Sequence, residues 1–163
     1  MTPVTLRSAH PDDIDFIVAL ETREEFVPFV GHWTTDKHLE GLNNPDKRYY
    51  LFENTTGERL GFAILAGLTG AHDAIVLVRV VVSSPGQGLG RVVLEALMAE
   101  VFDHLGANRL WLDVFDFNAR AIHVYEGLGF KHEGVMREAF KRDDSYCNLV
   151  LMSILRKEWD EQR

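Results

Sequence analysis

Two short segments of this chain place residue types at spacings that do chemistry. The first, Val80 to Arg91, reads V-V-V-S-S-P-G-Q-G-L-G-R and runs from an apolar, β-branched stretch through a glycine turn into a long amphipathic stretch. At Gly86, Gly88 and Gly90 no side chain covers the backbone N–H groups of the turn. A helix starting there adds unpaired donors and a partial positive charge. Together these form a site for a phosphate-sized anion. A Walker A loop would need Lys and then Ser or Thr after the last glycine, where this chain has Arg91 and Val92. The dinucleotide fingerprint G-x-G-x-x-G would need glycine at position 91, and it would open a repeating βαβ fold rather than follow a run of strands.

The second segment, Asn118 to Phe130, reads N-A-R-A-I-H-V-Y-E-G-L-G-F. Asn118 suits a helix N-cap and Gly129 a helix stop. Tyr125 falls about two turns after Asn118, so both address one cleft. Taken alone, the segment also reads as an ordinary capped amphipathic helix. Other chemistries find little support. The seven His residues show no H-E-x-x-H or other close pairing, so no metal site is expected. Cys147 is alone, which excludes an internal disulfide, and within an apolar run it reads as a small core residue.

The elements that must position these segments follow from periodicity. Val4 to Arg7 alternates as a short strand. Pro11-Asp12-Asp13 starts a helix whose apolar residues Ile14, Ile17, Val18 and Phe26 carry it to about Glu25. Thr34-Thr35-Asp36 caps a shorter helix to about Leu42. Tyr49–Glu53 and Leu60–Leu68 form a hairpin pattern around Asn54–Gly57. Ala74–Val82 reads as a strand buried on both faces. Leu89, Val93, Leu97 and Val101 lie four apart on a long helix closed by Gly106. Leu110 to Phe115 alternates as a strand. Phe130–Ala139 and Tyr146–Leu155 read as two terminal strands around a charged turn. The order β-α-α-β-β-β-α-β-α-β-β describes an α/β domain with a mixed sheet and helices on its faces.

Size and composition agree. A chain of 163 residues has one-domain length, and 46% hydrophobic with 26% charged residues is the profile of an ordinary globular protein. Seventeen basic against 25 acidic residues give a net charge of −8, which argues against nucleic acid or an anionic membrane as the main partner. One free thiol and no leader-like or spanning apolar segment point to the cytoplasm. A homodimer is compatible with the sequence.

The two segments together, P-G-Q-G-L-G-R at a helix start and N-A-R-A-x-x-x-Y-x-x-x-G-F after the next strand, resemble the GNAT superfamily of N-acetyltransferases, and the element order is similar over nearly the whole chain. The ending C-N-L-V-L-M-S-I-L, Cys147 to Leu155, further resembles the branch of ribosomal-protein N-terminal and polyamine acetyltransferases. The resemblance implies a GNAT-type sheet that splays at its centre, acetyl-CoA as cosubstrate and a primary amine as acceptor, attacking directly through a tetrahedral intermediate. It implies that the pyrophosphate lies on the amides of Gln87, Gly88, Leu89, Gly90 and Arg91. The pantetheine arm would pair along Val80, Val81 and Val82, with a strand amide near Val80 polarising the thioester carbonyl. Asn118 would touch the arm, and Tyr125 would protonate the departing thiolate.

Two departures stand out. Where the family turn usually carries Gln or Arg, this chain has Pro85. Where many relatives carry a Glu base in the strand before the turn, it has Val76, which takes no proton. Replacement candidates are Asp113 within the following strand, Asp116 at its end, and Glu21, Glu24 or Glu25 near the end of the first helix; His32 or His72 would relay through water. Asp113 is the first choice, because an acid inside an apolar strand needs a reason. The loop Phe26 to Thr35, with Phe29, His32 and Trp33, is a candidate acceptor wall. The negative charge favours a cationic acceptor, with a peptide N-terminus first among polyamine and aminoglycoside-like alternatives. Val76 also leaves open a non-catalytic acyl-CoA-binding module.

Overall fold

The computed structural model describes residues 3–163. Strand β1 (Thr5–Ser8) leads through a 3-10 turn at Pro11–Asp13 into α1 (Ile14–Glu21), followed by α2 (Thr35–Leu42). Strands β2 (Lys47–Glu53), β3 (Arg59–Ala66) and β4 (Ala74–Val82) come next, then α3 (Leu89–Ala99), which widens into a π-helical turn at Glu100–His104. Strand β5 (Arg109–Phe115), α4 (Ala119–Gly127), the hairpin β6 (Lys131–Arg142) and β7 (Ser145–Leu155), and a short α5 (Arg156–Glu161) complete the chain. The order matches the expectation, with α5 added after Leu155.

The seven strands form one sheet in the order β1-β2-β3-β4-β5-β7-β6. Each central strand feeds two cores by alternation. Tyr50, Phe52, Ala63 and Leu65 pack with α3 and α4, whereas Tyr49, Leu51, Phe62 and Ile64 pack with α1 and α2. Helix α3 buries Val93, Leu94, Leu97 and Met98, the face its spacing defines.

Two expectations need correction. The first helix stops at Glu21, not Glu25, because the Thr22 hydroxyl donates to the Val18 carbonyl at 2.6 Å and the chain continues as turns to Phe29. Strand β4 is not buried on both faces: residues 78–80 and 82 are half-exposed. The cause is the sheet itself. β4 and β5 are parallel neighbours, paired only from Ala74–Arg109 to Val76–Trp111, and beyond that they part.

Candidate active site

The site is built on that parting. In β4, Ile64 of β3 faces Arg79 and Leu65 faces Leu77, so Val78 is an extra residue, a β-bulge. Before the bulge Ile75 and Leu77 point into the α3–α4 core; after it Val80 and Val82 do, while Val81 joins the α1–α2 core. One inserted residue therefore reverses the alternation. It leaves Val80 at the opening, where it borders cavities on both sides.

The larger cavity, about 800 Å³, runs from the opening to the glycine turn. Val80, Val81 and Val82 wall it on one side, Asn118, Ala121, Val124 and Tyr125 on the other, and Gly86, Gly88, Gly90 and Arg91 close its end. Gly86 and Gly88 have φ of 82° and 78°, a backbone region that glycine enters without cost. Gly88 caps α3, and nothing lies within 4 Å of where a Cβ would sit on Gly88 or Gly90. The space over the amides is thus open, and a positive helix end faces it. Of the turn residues, Gln87 and Leu89 do not line the cavity; Leu89 packs on the core. Arg120 is an addition that the sequence reading passed over: its guanidinium lies 3.7 Å from a Cβ position on Gly86 and it lines the same cavity. An elongated cleft that ends in open amides and two guanidinium groups fits a CoA thioester, whose activated acetyl group would lie at the β4–β5 opening.

Asn118 caps α4 by accepting from the Ala121 N–H at 3.3 Å, and it lines both cavities. Tyr125 is buried, its ring 5.5 Å from that of Phe130, and it too lines both. Burial and the nearby Asp113 charge push its hydroxyl up to about 12, so it stays protonated at neutral pH.

The second cavity, about 380 Å³, lies across the opening, between the α1–α2 loop and α4. Phe29, Val30, Gly31 and Trp33 come from the α1–α2 loop, Phe115 from β5, Phe140 from β6, and Asp113 and Arg79 supply charge. Asp113 stands two residues past the last β4–β5 pair, open to the cleft, and the cleft walls raise its carboxyl above the ordinary range by desolvation. Val76 stands in the last β4–β5 pair before the strands part, opposite Trp111, and lines neither cavity. The other proposed bases lie elsewhere. Asp116 accepts from Asn148 at 3.1 Å outside both cavities. Glu24, His32 and His72 line neither cavity, Glu25 borders the larger one beside Arg23, and Glu21 is wholly buried in contacts with other side chains. Among the described residues no three metal-ligating side chains converge.

The fold and this cleft define an enzyme class that binds an acyl-CoA through a helix N-terminus and presents its thioester between parting strands. Residues 14–130 match the acetyltransferase (GNAT) family, and the chain belongs to that family. It is 33% identical over 153 residues to an Escherichia coli ribosomal protein bS18 alanine N-acetyltransferase, covering 92% of this chain and 96% of that one. It is 24% identical over 164 residues to a Vibrio cholerae spermidine N(1)-acetyltransferase, covering 96% and 95%. The fold is similar to that of the V. cholerae spermidine N-acetyltransferase solved with CoA and spermine, with a TM-score of 0.85 and 22% identity over 96% of this chain and 97% of that one. The chain is an acetyl-CoA-dependent N-acetyltransferase acting on an amine, and the reading as a non-catalytic binding module gives way to it.

Proposed function

We propose that the acceptor is the α-amino group of a peptide N-terminus rather than a polyamine. The observation that carries this is the charge content of the acceptor cavity. Asp113 is the one carboxylate that lines it, and Glu21 behind Arg79 is already spent on that arginine. The Arg142 guanidinium stacks 4.8 Å from the Phe115 ring and 5.9 Å from that of Phe140, occupying the faces on which a second ammonium would settle. One ammonium finds Asp113. Further cations of a polyamine would meet phenyl rings already taken and a like charge, which costs about 3 kcal/mol at 5 Å in a partly screened site.

In this reading Asp113 takes the proton from the incoming ammonium and Tyr125 supplies one to the departing thiolate. Val80 offers backbone N–H at the opening, an oxyanion-type donor. Asp113 and Tyr125 approach from opposite faces of the sheet through the gap, so the two protons move on opposite sides of the reacting carbon. The lone thiol and the use of acetyl-CoA support a cytoplasmic setting.

The test is a panel of acceptors monitored by CoA release, with a blank for Cys147. Short peptides that begin with a small residue are expected to exceed spermidine in kcat/KM by about 100-fold, the scale on which a few kcal/mol acts. Equal or reversed ranking would remove the peptide reading and leave the cleft to a small polyamine.

A further inference from the structure

The buried centre of the acceptor wall is a chain of hydrogen bonds that the chemistry above does not use. Glu21 is fully buried; its Oε1 lies 2.6 Å from His38 Nε2 and accepts from the Trp33 N–H at 3.1 Å, while its Oε2 accepts from Arg79 Nη1 at 2.8 Å. His38 Nδ1 lies 3.0 Å from the Tyr49 hydroxyl. A neutral imidazole with its proton on Nε2 satisfies the whole chain, with the Tyr49 O–H donating to Nδ1. The result ties α1, α2, β2 and the α1–α2 loop to one arginine on β4.

That arginine is only partly used. A guanidinium has five N–H donors. Arg79 gives one to Glu21, its plane lies 4.4 Å from the Trp33 ring, and its side chain is 9% exposed. No fully buried side-chain nitrogen or oxygen among the described residues lacks a partner, so the unspent donors of Arg79 border open space. The open space beside it is the acceptor cavity, which Arg79 lines together with Asp113. Arg79 also immediately precedes Val80, at the sheet opening.

We infer that Arg79 is a specificity-determining residue that donates to a carbonyl or carboxylate oxygen next to the acceptor amine, and that Glu21 is the positioning residue that holds it. Asp113 receives the ammonium and Arg79 the adjacent oxygen, a pair of charges matched to an α-amino carbonyl unit and not to a plain alkylamine. This rests on the peptide reading above and sharpens it to the atoms being read. Burial makes the arrangement demanding: an acceptor without the oxygen would leave the remaining donors of a desolvated guanidinium without an acceptor.

The experiment compares alaninamide with isopropylamine, which replaces the carboxamide by a methyl group, in the parent and in Arg79→Met, Arg79→Lys, Glu21→Gln and Gly31→Ala. The last adds a methyl 2.9 Å from Arg79 Nη2 without changing any charge, so it displaces the guanidinium from a loop position that tolerates substitution. The two amines differ in basicity, but that difference cancels when their kcat/KM ratio is compared between variants. The ratio is expected to fall by about 10- to 100-fold in Arg79→Met, the worth of one hydrogen bond to a charged group. Gly31→Ala and Glu21→Gln are expected to lower it in the same direction, and Arg79→Lys to restore part of it. Thermal unfolding and acetyl-CoA affinity are measured for each variant, and a purely structural role would lower the melting temperature while leaving the ratio alone. That outcome, a ratio within twofold of the parent in folded Gly31→Ala and Glu21→Gln, overturns the inference even if Arg79→Met does not fold. If the parent prefers isopropylamine or turns over polyamines only, the peptide reading fails first and takes this assignment with it.

Discussion

Tyr125 and Asp113 are coupled by their surroundings more than by their sequence distance. The burial that holds the Tyr125 phenol at about 12 keeps it a proton donor over the whole working range, while the cleft that raises Asp113 brings a carboxylate closer to the pH at which a base is useful. The acid limb of kcat/KM is therefore expected above the ordinary carboxylate range, and it should vanish in Asp113→Asn along with about 100-fold or more of the rate. Stability moves the other way. A carboxyl whose folded pKa is raised binds its proton more tightly when folded, so it weakens the fold as pH rises above its unfolded value. Asp113→Asn removes that penalty, and its melting temperature at pH 7 should equal or exceed the parent's. Tyr125→Phe should slow turnover with acetyl-CoA affinity nearly intact. A variant at position 113 that lost stability while keeping its rate would reverse the assignment of Asp113 from chemistry to structure.

At the scale of elements, the glycine turn and the bulge in β4 divide the work. In the proposed reading the turn would receive the anionic end and the bulge would present the strand edge. Gly88→Ala places a side chain at φ of 78° and sets a methyl over the amides, a conformational cost of about 1–2 kcal/mol with added obstruction. We expect acetyl-CoA affinity to fall about tenfold or more, read as a loss of thermal stabilisation. The parent with acetyl-CoA at about 100 times its dissociation constant gains about 2.7 kcal/mol, near 5–11 °C for a chain of this size. Gly88→Ala at that same concentration should gain less than the parent, while its unliganded melting temperature drops by only a few degrees. The glycine pattern predicted this element well, because φ beyond +20° is a property of single residues. The end of α1 lies four residues before the point that apolar spacing predicts, since that spacing continues through Phe26 and only the Thr22 hydroxyl and the inward turn of Glu21 mark the stop.

The molecule as a whole is held at its start by a second ionic cluster. Asp13 is buried at the entry to α1, where it accepts from both Nη atoms of Arg7, from the His10 N–H and from Arg59. Burial alone would raise its carboxyl, but these donors outweigh it and hold the group at about 2. Its contribution is complete above the unfolded value near 4 and is lost as pH falls toward 2. Acid unfolding of Asp13→Asn should thus lose part of the parent's slope in that window, with a melting temperature at pH 7 lower by several degrees. An unchanged acid transition would show that Arg7 and Arg59 serve Glu53 and the surface instead.

The sequence by itself determined most of the elements and where its two motif segments lie on them. Glycine spacing, the Asn118 cap, the Tyr125 interval and period-two or period-3.6 patterns are local signals, each written within about a dozen residues. It also held a clue it did not explain, an arginine inside the apolar run of β4. Tertiary structure alone decided what that arginine meets, because Glu21 and Trp33 reach it from 58 and 46 residues away, and His38 reaches only Glu21 behind it. It also decided which acid stands at the opening. Asp113, Asp116 and the three glutamates near α1 are chemically equivalent as letters. Only the point where β4 and β5 stop pairing brings Asp113 to the opening, while Asp116 meets Asn148, Glu21 and Glu25 join arginines and Glu24 faces solvent. Long-range register and burial decide this, and neither has a local code.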